Sequence, residues 1–373
     1  MRTLVVSDLH LGARLRRDVL SRPEPLARLL AALDGVQRLV LLGDIVELLQ
    51  RRPQRAMSTA EPVLRALGER LGPEREAIIV PGNHDAVLVR PWVLAQGPQL
   101  RPDSAVPLTA TPMLARLGEW LSPARVRVHY PGVWLSEGIW ATHGHYLDRH
   151  LLPESTVGIA RGLLGRLPRD GALPIEYELA GGPSVTRLES LLAQRLPRPL
   201  AALAENAAEL LRAASMPRGP WLLLHPRLAP LTSMLLGLQM RHASIPAMAR
   251  VIHRLGVGAE FVVFGHVHRR GPLDGERLVQ WQGPGGRPQM VNTGSWVYEP
   301  LLVHRARTSH PYWPGGAVIL EPGAPPRSVG LLDGLDAGAL RPGSDGCCRT
   351  RATGSRAAAR RHRSDSAAHR RHR

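Results

Sequence analysis

Short runs of apolar residues alternate with helical patterns over the first 150 residues of the chain. The runs are rich in leucine, valine and isoleucine, and they predict buried strands at 4–6, 39–42, 77–80, 126–129 and 139–142. Leucines at helical spacing predict a helix at 25–33. A second helix is expected to begin at a capping box, in which Glu61 follows Ser58, and to end before Gly72. This alternation is typical of a layered α/β fold.

The strand pattern then stops and returns later. From about 151 to 255 the leucines recur only at helical spacing, which predicts an all-helical insertion. Strand patterns return at 260–264, 278–281, 290–292 and 317–320. After about 333 the composition becomes rich in Gly, Ala, Ser, Arg and His, which predicts disorder. We therefore expect a core at 1–147 and 257–332, a helical cap at 148–256, and a disordered Arg-rich tail at 333–373.

The charge balance is strongly basic but uneven. The chain of 373 residues has 48 basic and 31 acidic side chains, a net charge of +17, and its basic side chains are all arginine. The stretch 341–373 holds ten arginines against Asp345 and Asp365, so about half of the excess lies in the tail. A basic chain suits nucleic acid, an anionic membrane or a phosphorylated substrate. An aromatic content of 4% argues against surfaces on which bases stack.

Cysteine usage and hydropathy bear on the compartment. Both cysteines, Cys347 and Cys348, lie in the tail, which excludes a disulfide framework and a cysteine-ligated zinc site for the core. No signal-peptide pattern is visible at the start of the chain. The most apolar stretch, 221–240, contains prolines, a histidine and an arginine, so no transmembrane segment is expected. A cytoplasmic protein is predicted, and a peripheral position at a membrane stays open.

Residues of the kind that ligate metals follow the predicted strands directly. Five segments carry them, in the order Asp-x-His, Gly-Asp, Gly-Asn-His-Asp, His-Gly-His and Gly-His-x-His. The candidate ligands in these segments are Asp8, His10, Asp44, Asn83, His143, His266 and His268. In open α/β sheets ligands bind at the carboxyl ends of strands, so these side chains are expected at one rim. Carboxylate, amide oxygen and imidazole suit Mn²⁺, Fe or Zn²⁺.

The set of ligands is too large for one ion. A first ion could be held by the residues after the first and the late strand, Asp8, His10 and His268. A second could be held by the remaining amide and imidazoles, Asn83, His143 and His266. Asp44 would bridge the two, because a carboxylate has two oxygens. His145 is left over and is expected behind the ligands or facing the substrate.

These motifs resemble those of the calcineurin-like metallophosphoesterase superfamily, in full and in order. The resemblance covers roughly 1–147 and 257–332, and the turn Asn292-Thr293-Gly294-Ser295 is similar to the Asn-Pro-Gly-Ser turn common in prokaryotic members. It implies an α/β fold, a two-layer mixed β-sandwich flanked by helices, here with an all-helical insertion. It also implies two divalent metal ions at the strand ends, with Mn²⁺ favoured and Fe or Zn as alternatives.

The resemblance further implies a reaction. A metal-bridging hydroxide would attack phosphorus and hydrolyse a phosphomonoester, phosphodiester or pyrophosphate bond. His84 would protonate the leaving alkoxide, with Asp85 orienting its ring. Arg14, Arg269 and Arg270 are candidates for balancing the charge on the phosphoryl oxygens.

The insertion lies between two ligand motifs, which suggests that it shapes the substrate pocket. Its leucines and arginines fit a small or lipid-linked phosphorylated substrate. The layout resembles that of bacterial UDP-2,3-diacylglucosamine hydrolases, although Gly-Asn-His-Asp stands here where that group has Gly-Asn-Arg-Asp. A second reading is an Mre11-like DNA nuclease, which shares Gly-Asn-His-Asp but has its extra domain after the core, so nucleic acid is not the favoured partner. A third is a non-catalytic metal-binding scaffold, and the oligomeric state stays open.

Overall fold

The computed structural model describes residues 1–13, 16–49, 52–150, 169–179, 243–299, 303 and 310–341. Eleven strands form two sheets in this part of the chain: β1 (Thr3–Val6), β2 (Arg38–Leu42), β3 (Glu76–Val80), β4 (Ser104–Val106), β5 (Arg125–Tyr130), β6 (Gly132–Ser136), β7 (Ile139–Thr142), β8 (Phe261–Phe264), β9 (Gln289–Asn292), β10 (Gly316–Leu320) and β11 (Arg327–Gly330). The α-helices among the described residues are α1 (Pro23–Ala32), α2 (Pro53–Leu71), α3 (Arg90–Gln96), α4 (Pro112–Trp120), α5 (Pro174–Leu179), α6 (Ile245–Arg254) and α7 (Ala337–Leu340).

Both sheets are mixed. The seven-stranded sheet has the order β11-β10-β1-β2-β3-β5-β4, and its central strands β1, β2, β3 and β5 run parallel. The four-stranded sheet has the order β6-β7-β8-β9, in which β7, β8 and β9 run parallel. The carboxyl ends of neighbouring parallel strands meet at one edge, so the loops after them are brought together.

The two sheets pack face to face around an apolar layer. Alternate residues of the central strands form it, among them Val5, Val40 and Ile78 from one sheet and Ala141 and Val263 from the other. The residues between them point the other way, and α1, α2 and α4 cover them. Burial on both faces explains why these strands are continuous apolar runs rather than alternating ones. The predicted two-layer α/β architecture with flanking helices is confirmed.

The predicted capping box of α2 is wrong. The helix begins five residues before Ser58, at Pro53, whose fixed φ suits the first turn of a helix. The hydroxyls of Ser58 and Thr59 lie inside the helix, where both donate hydrogen bonds to the carbonyl of Arg55. The predicted end of the helix is confirmed, because Gly72 follows its last residue with a φ of 70°.

The predicted strand at 278–281 is also wrong. These residues form a short 3₁₀ helix, in which Leu278 and Val279 are 59% and 68% exposed. Trp281 alone is buried there, and its ring lies 5.1 Å from the guanidinium carbon of Arg269. The apolar run therefore anchors a loop through one side chain and pairs with no sheet.

The predicted boundaries of the cap and the tail each include residues that pack on the core. Helix α6 covers the four-stranded sheet, with Met248 and Ile252 buried against Val262 and Phe264. It precedes β8 and helps to cross over from β7, a connection that parallel neighbouring strands require. At the other end, Leu335 and Leu340 lie within the predicted tail, yet both are buried in the main core.

Most of the predicted cap and tail lies outside the described residues. This holds for 151–168, 180–242 and 342–373, and therefore for the all-helical character of the insertion and the disorder of the tail. In the described part of the chain, no helix combines the length and the apolar character that a membrane crossing needs.

Candidate metal centre

The loops after five strands bring the predicted ligands to one edge of the sandwich. The backbone holds these loops side by side beyond the strands. The amides of Asp8 and His10 donate to the carbonyls of Gly43 and Asp44, at 3.0 and 2.8 Å. In the second sheet the amide of Gly265 donates to the carbonyl of His143, at 2.9 Å. The ladder of each sheet thus continues into the loops that carry the ligands.

Glycines precede the ligands because side chains fill the space beside them. A Cβ on Gly43 would overlap the imidazole of His143, and the φ of Gly43 is +84°. A Cβ on Gly82 would overlap the carboxylate of Asp44 in the same way. The glycines of Gly-Asp and Gly-Asn-His-Asp therefore allow ligands from different strands to touch.

The ligand atoms form overlapping groups. In three sets of residues, one ligand atom from each residue lies within 4.8 Å of the others: Asp8 with His10 and His268, His10 with Asp44 and His84, and Asp44 with His143 and His266. Nε2 of His268 is 3.3 Å from Oδ1 of Asp8. Oδ2 of Asp44 is 3.6 Å from Nε2 of His10 and 3.2 Å from Nε2 of His143, so one carboxylate touches both ends of the cluster. Asn83 joins the second end, with Oδ1 at 3.1 Å from Nε2 of His143.

Two of these atoms are buried without a hydrogen-bond partner among the described residues. They are Oδ1 of Asp8 and Nε2 of His10. A buried polar atom without a partner is unfavourable, and a bound ion or water is one arrangement that satisfies it. Carboxylate, amide and imidazole donors around them are also the ligands that first-row divalent cations accept. The residues present therefore fit a site for divalent metal ions.

The backbone at the cluster is strained. Five of the seven predicted ligands have positive φ angles between 43° and 69°: Asp8, His10, Asp44, His266 and His268. Non-glycine residues seldom adopt this left-handed conformation, and it is concentrated at functional sites when the surrounding structure enforces it.

The second nitrogen of three of the four ligand imidazoles has a fixed partner. Nδ1 of His10 lies 2.9 Å from Oε2 of Glu47, and Nδ1 of His143 lies 3.0 Å from the carbonyl oxygen of Leu42. Nδ1 of His268 lies 3.5 Å from Oε1 of Glu299. Such partners set the tautomer and leave Nε2 of each of these rings as the candidate ligand atom.

His266 has a different arrangement. Its Nε2 lies 2.9 Å from Oδ1 of Asp148, which belongs to the short 3₁₀ helix His145–Arg149 after β7. Because Asp148 occupies Nε2 of His266, the candidate ligand atom of this ring is Nδ1.

The predicted orienting role of Asp85 is wrong. Its carboxylate accepts hydrogen bonds from the amides of Ile45 and Gly82, at 2.7 and 2.6 Å, and so ties together the loops after β2 and β3. The carboxylate at the ring of His84 is that of Glu47, with Oε2 at 2.8 Å from Nδ1. Glu47 is buried and reaches His10 and His84 at once.

Charges in the cluster displace its pKa values strongly. Burial favours the neutral form of Asp8, but His143 and His268 lower its pKa to about 2. Burial also lowers the pKa of His143, yet the carboxylates of Asp44 and Asp8 outweigh this and raise it to about 9. For His84 the opposing carboxylates are Glu47 and Asp44, and its pKa rises to about 9. In Asp85, burial and the charge of Asp44 raise the pKa to about 6. Clustered groups with displaced pKa values are typical of active sites.

The four predicted substrate contacts differ in where they lie and in whether their charges are already paired. Arg14 lies outside the described residues. Arg269 and Arg270 are buried in ion pairs with Glu276 and Asp333, so their charges already have partners. His145 lies beside the ligands, with its ring centroid 5.6 Å from that of His143, and burial lowers its pKa.

Sequence reasoning missed the acidic residues that hold the imidazoles. Glu47 stands three residues after the candidate ligand Asp44, so a search for carboxylates one turn beyond a ligand would have found it. Asp148 stands five residues after the candidate ligand His143 and would not have been found in that way. Glu299 follows the Asn292-Thr293-Gly294-Ser295 turn at no regular spacing. No local signal distinguishes it from a surface glutamate.

Comparison with known proteins identifies a family. The family model described as calcineurin-like phosphoesterase matches residues 1–270. No curated protein matches the sequence.

Two solved structures show a weak likeness. The cold-active protein-tyrosine phosphatase of a psychrophile Shewanella species is 13% identical, with 86% of this chain and 75% of that chain covered and a TM-score of 0.25. A single-site mutant of a cold-active protein tyrosine phosphatase is 14% identical, with 90% and 78% covered and a TM-score of 0.28. At these TM-scores neither likeness bears on the activity of this chain.

Proposed function

Because this chain belongs to the calcineurin-like phosphoesterase family, whose members are metal-dependent phosphoric ester hydrolases, we propose that it hydrolyses phosphate esters with two metal ions. One ion would be held by Asp8, His10 and His268, and the other by Asn83, His143 and His266. The observation that carries the proposal is the place of Asp44. Its Oδ2 lies within 3.6 Å of an imidazole nitrogen from each set, as a bridging ligand requires.

Two divalent ions at such a site lower the pKa of a bound water and neutralise charge on the phosphoryl oxygens. The residues of the chain supply the rest. The carboxylates, the amide and the imidazoles at the strand ends would hold the ions, and Glu47 and Glu299 fix the tautomers of His10 and His268. His84 donates a proton to the leaving oxygen, and Glu47 orients its ring for that transfer.

The proposed substrate is a small or lipid-linked phosphorylated molecule. Arg269 and Arg270, which follow His268 in sequence, are paired with carboxylates, so neither is counted as a phosphate contact for any candidate substrate. All seven ligand positions and His84 carry the residue that catalysis needs, which speaks against a purely structural scaffold. Mn²⁺ is the proposed metal, with Fe and Zn²⁺ as alternatives.

The function is tested with purified protein stripped of metal and reloaded with Mn²⁺, Fe²⁺ or Zn²⁺. Hydrolysis is measured on bis-p-nitrophenyl phosphate, p-nitrophenyl phosphate, cyclic nucleotides, a nucleotide-sugar lipid and single-stranded DNA. We expect metal-dependent hydrolysis of at least one of the first four, with Asp44→Asn inactive and Asp34→Asn, a change at an exposed carboxylate, fully active. Metal-independent hydrolysis, or none on any substrate, contradicts the proposal. Cleavage of DNA alone turns the assignment to a nuclease.

A further inference from the structure

Four polar side chains from distant parts of the sequence meet beside the ligands. Tyr130 ends β5, His145 and Tyr146 follow β7, and Glu178 lies on α5, in the described part of the insertion. The ring centroids of His145 and Tyr146 are 4.8 Å apart, and that of His145 is 5.6 Å from His143. None of these four side chains has a part in the mechanism proposed above.

Glu178 takes up the only hydrogen of each tyrosine hydroxyl. The hydroxyl of Tyr146 donates to Oε1 of Glu178 at 2.6 Å, and that of Tyr130 makes a short hydrogen bond to the same oxygen. A phenol has a single O–H, so the oxygen of Tyr130 has only lone pairs left for a third group. It is therefore an acceptor toward anything else that approaches.

The third group is the imidazole of His145. Its Nε2 lies 3.4 Å from the hydroxyl oxygen of Tyr130 and 3.9 Å from Oε1 of Glu178. Both neighbours are acceptors, so the tautomer with its hydrogen on Nε2 is favoured. In that tautomer Nδ1 has a lone pair and accepts hydrogen bonds.

Nδ1 of His145 is buried and makes no hydrogen bond among the described residues. A buried acceptor without a donor is unfavourable, and a bound molecule that brings a donor relieves this. Such an atom beside a reaction site discriminates between molecules with and without a hydroxyl or amine at that place.

We propose that Nδ1 of His145 is a hydrogen-bond acceptor for the substrate, held in that role by Glu178 and Tyr130, and that the substrate carries a hydroxyl or amine next to the phosphoryl group. This rests on the proposed phosphoesterase function and names a feature of its substrate. Glu178 and Tyr130 are positioning residues, and the insertion contributes to the site through Glu178.

The tautomer is measured independently of activity. Long-range ¹H–¹⁵N spectra of the full chain, with His145 assigned through His145→Asn, report which ring nitrogen carries hydrogen. We expect a protonated Nε2 and a bare Nδ1, and a perturbed Nδ1 resonance on adding 2-hydroxyethylphosphonate but not ethylphosphonate. Glu178→Gln and Tyr130→Phe should mix the tautomers. Tyr298→Phe is the matched control, because its buried hydroxyl has no hydrogen-bond partner among the described residues. A hydrogen on Nδ1, or equal responses to the two phosphonates, overturns the proposal.

A kinetic comparison then separates the subsite from the reaction. With Mn²⁺, kcat/KM for 2-hydroxyethyl phosphate should exceed that for ethyl phosphate by about tenfold, the size of one hydrogen bond. The preference should vanish in Tyr130→Phe and persist in Tyr298→Phe. Hydrolysis of both esters at equal rates refutes the subsite but leaves the phosphoesterase standing. If neither ester is hydrolysed, the spectra alone decide on the subsite, and activity on bis-p-nitrophenyl phosphate decides separately on the proposed function.

Discussion

Oε2 of Glu47 lies 2.8 Å from Nδ1 of His84, the residue proposed to protonate the leaving group. The same oxygen lies 2.9 Å from Nδ1 of His10, so one buried carboxylate connects a candidate metal ligand with the candidate acid. A residue in this place orients two imidazoles at once, and its loss should affect both.

Glu47→Gln should lower kcat by about 10²-fold on an ester with a poor leaving group, because His84 loses the charge that orients its ring. The loss should shrink with p-nitrophenyl esters, whose leaving group needs little protonation. His84→Ala should show the same dependence on the leaving group and leave the metal content intact. Glu61→Gln, at an exposed carboxylate on α2, serves as control. Equal losses for good and poor leaving groups would argue against the acid role of His84.

Asp44→Asn should reduce the number of bound ions from about two per chain to one or fewer, since a bridging carboxylate contributes to both sites. The measurement is metal analysis after dialysis against Mn²⁺. Asp34→Asn removes a carboxylate that pairs with Arg70 on the surface and should bind as much metal as the unmodified protein. An Asp44→Asn protein with an unchanged ion count would falsify the bridging role.

Gly43→Ala should weaken metal binding and unfold more easily, because the added methyl group would overlap the ring of His143 at a φ of +84°. Gly258→Ala is the matched control, since a Cβ there meets no atom within 4 Å and its backbone needs no left-handed conformation. Metal titration and thermal unfolding of the two proteins test this. Similar behaviour of both would show that the ring of His143 is not confined.

His150 should make the stability of the fold depend on pH between about 6.5 and 4. Burial, followed by the charges of Arg254 and Arg250, lowers the pKa of His150 to about 4. Below the ordinary pKa of about 6.5 the unfolded chain binds a proton that the folded protein does not, so the free energy of unfolding falls as the pH drops toward 4. Below about 4 both states are protonated and this dependence ends.

Replacing His150 isolates that effect. Urea unfolding at several pH values should show a weaker decline between pH 6.5 and 4 in His150→Gln, whose amide can still reach the hydroxyl of Tyr177. His253→Gln changes an exposed histidine on α6 and should leave the decline as it was. Parallel curves for the unmodified protein and His150→Gln would rule out this contribution.

Local patterns in the sequence predicted the central strands of both sheets and a candidate ligand set, but not the strands β4, β6 and β11. Apolar runs such as Leu39 to Leu42 are stable only when both faces of the strand are buried. This requirement places such strands in the centre of a covered sheet. The candidate ligands could be chosen because each stands one to four residues after the end of a strand, and parallel strands bring their carboxyl ends together. Fold class and candidate metal ligands therefore followed from short-range information.

The tertiary structure alone decided which carboxylate holds which imidazole. Asp85 is next to His84 in sequence but binds backbone amides, whereas Glu47 reaches the ring across 37 residues. Glu178 meets Tyr130 across 48 residues, and α6 joins the core although its leucine-rich neighbourhood predicted a cap. These pairings depend on the packing of distant strands and helices, and a hydrogen bond selects its partner by distance and direction in space. The spacing of apolar and polar residues along the chain does not indicate which distant side chains will pair.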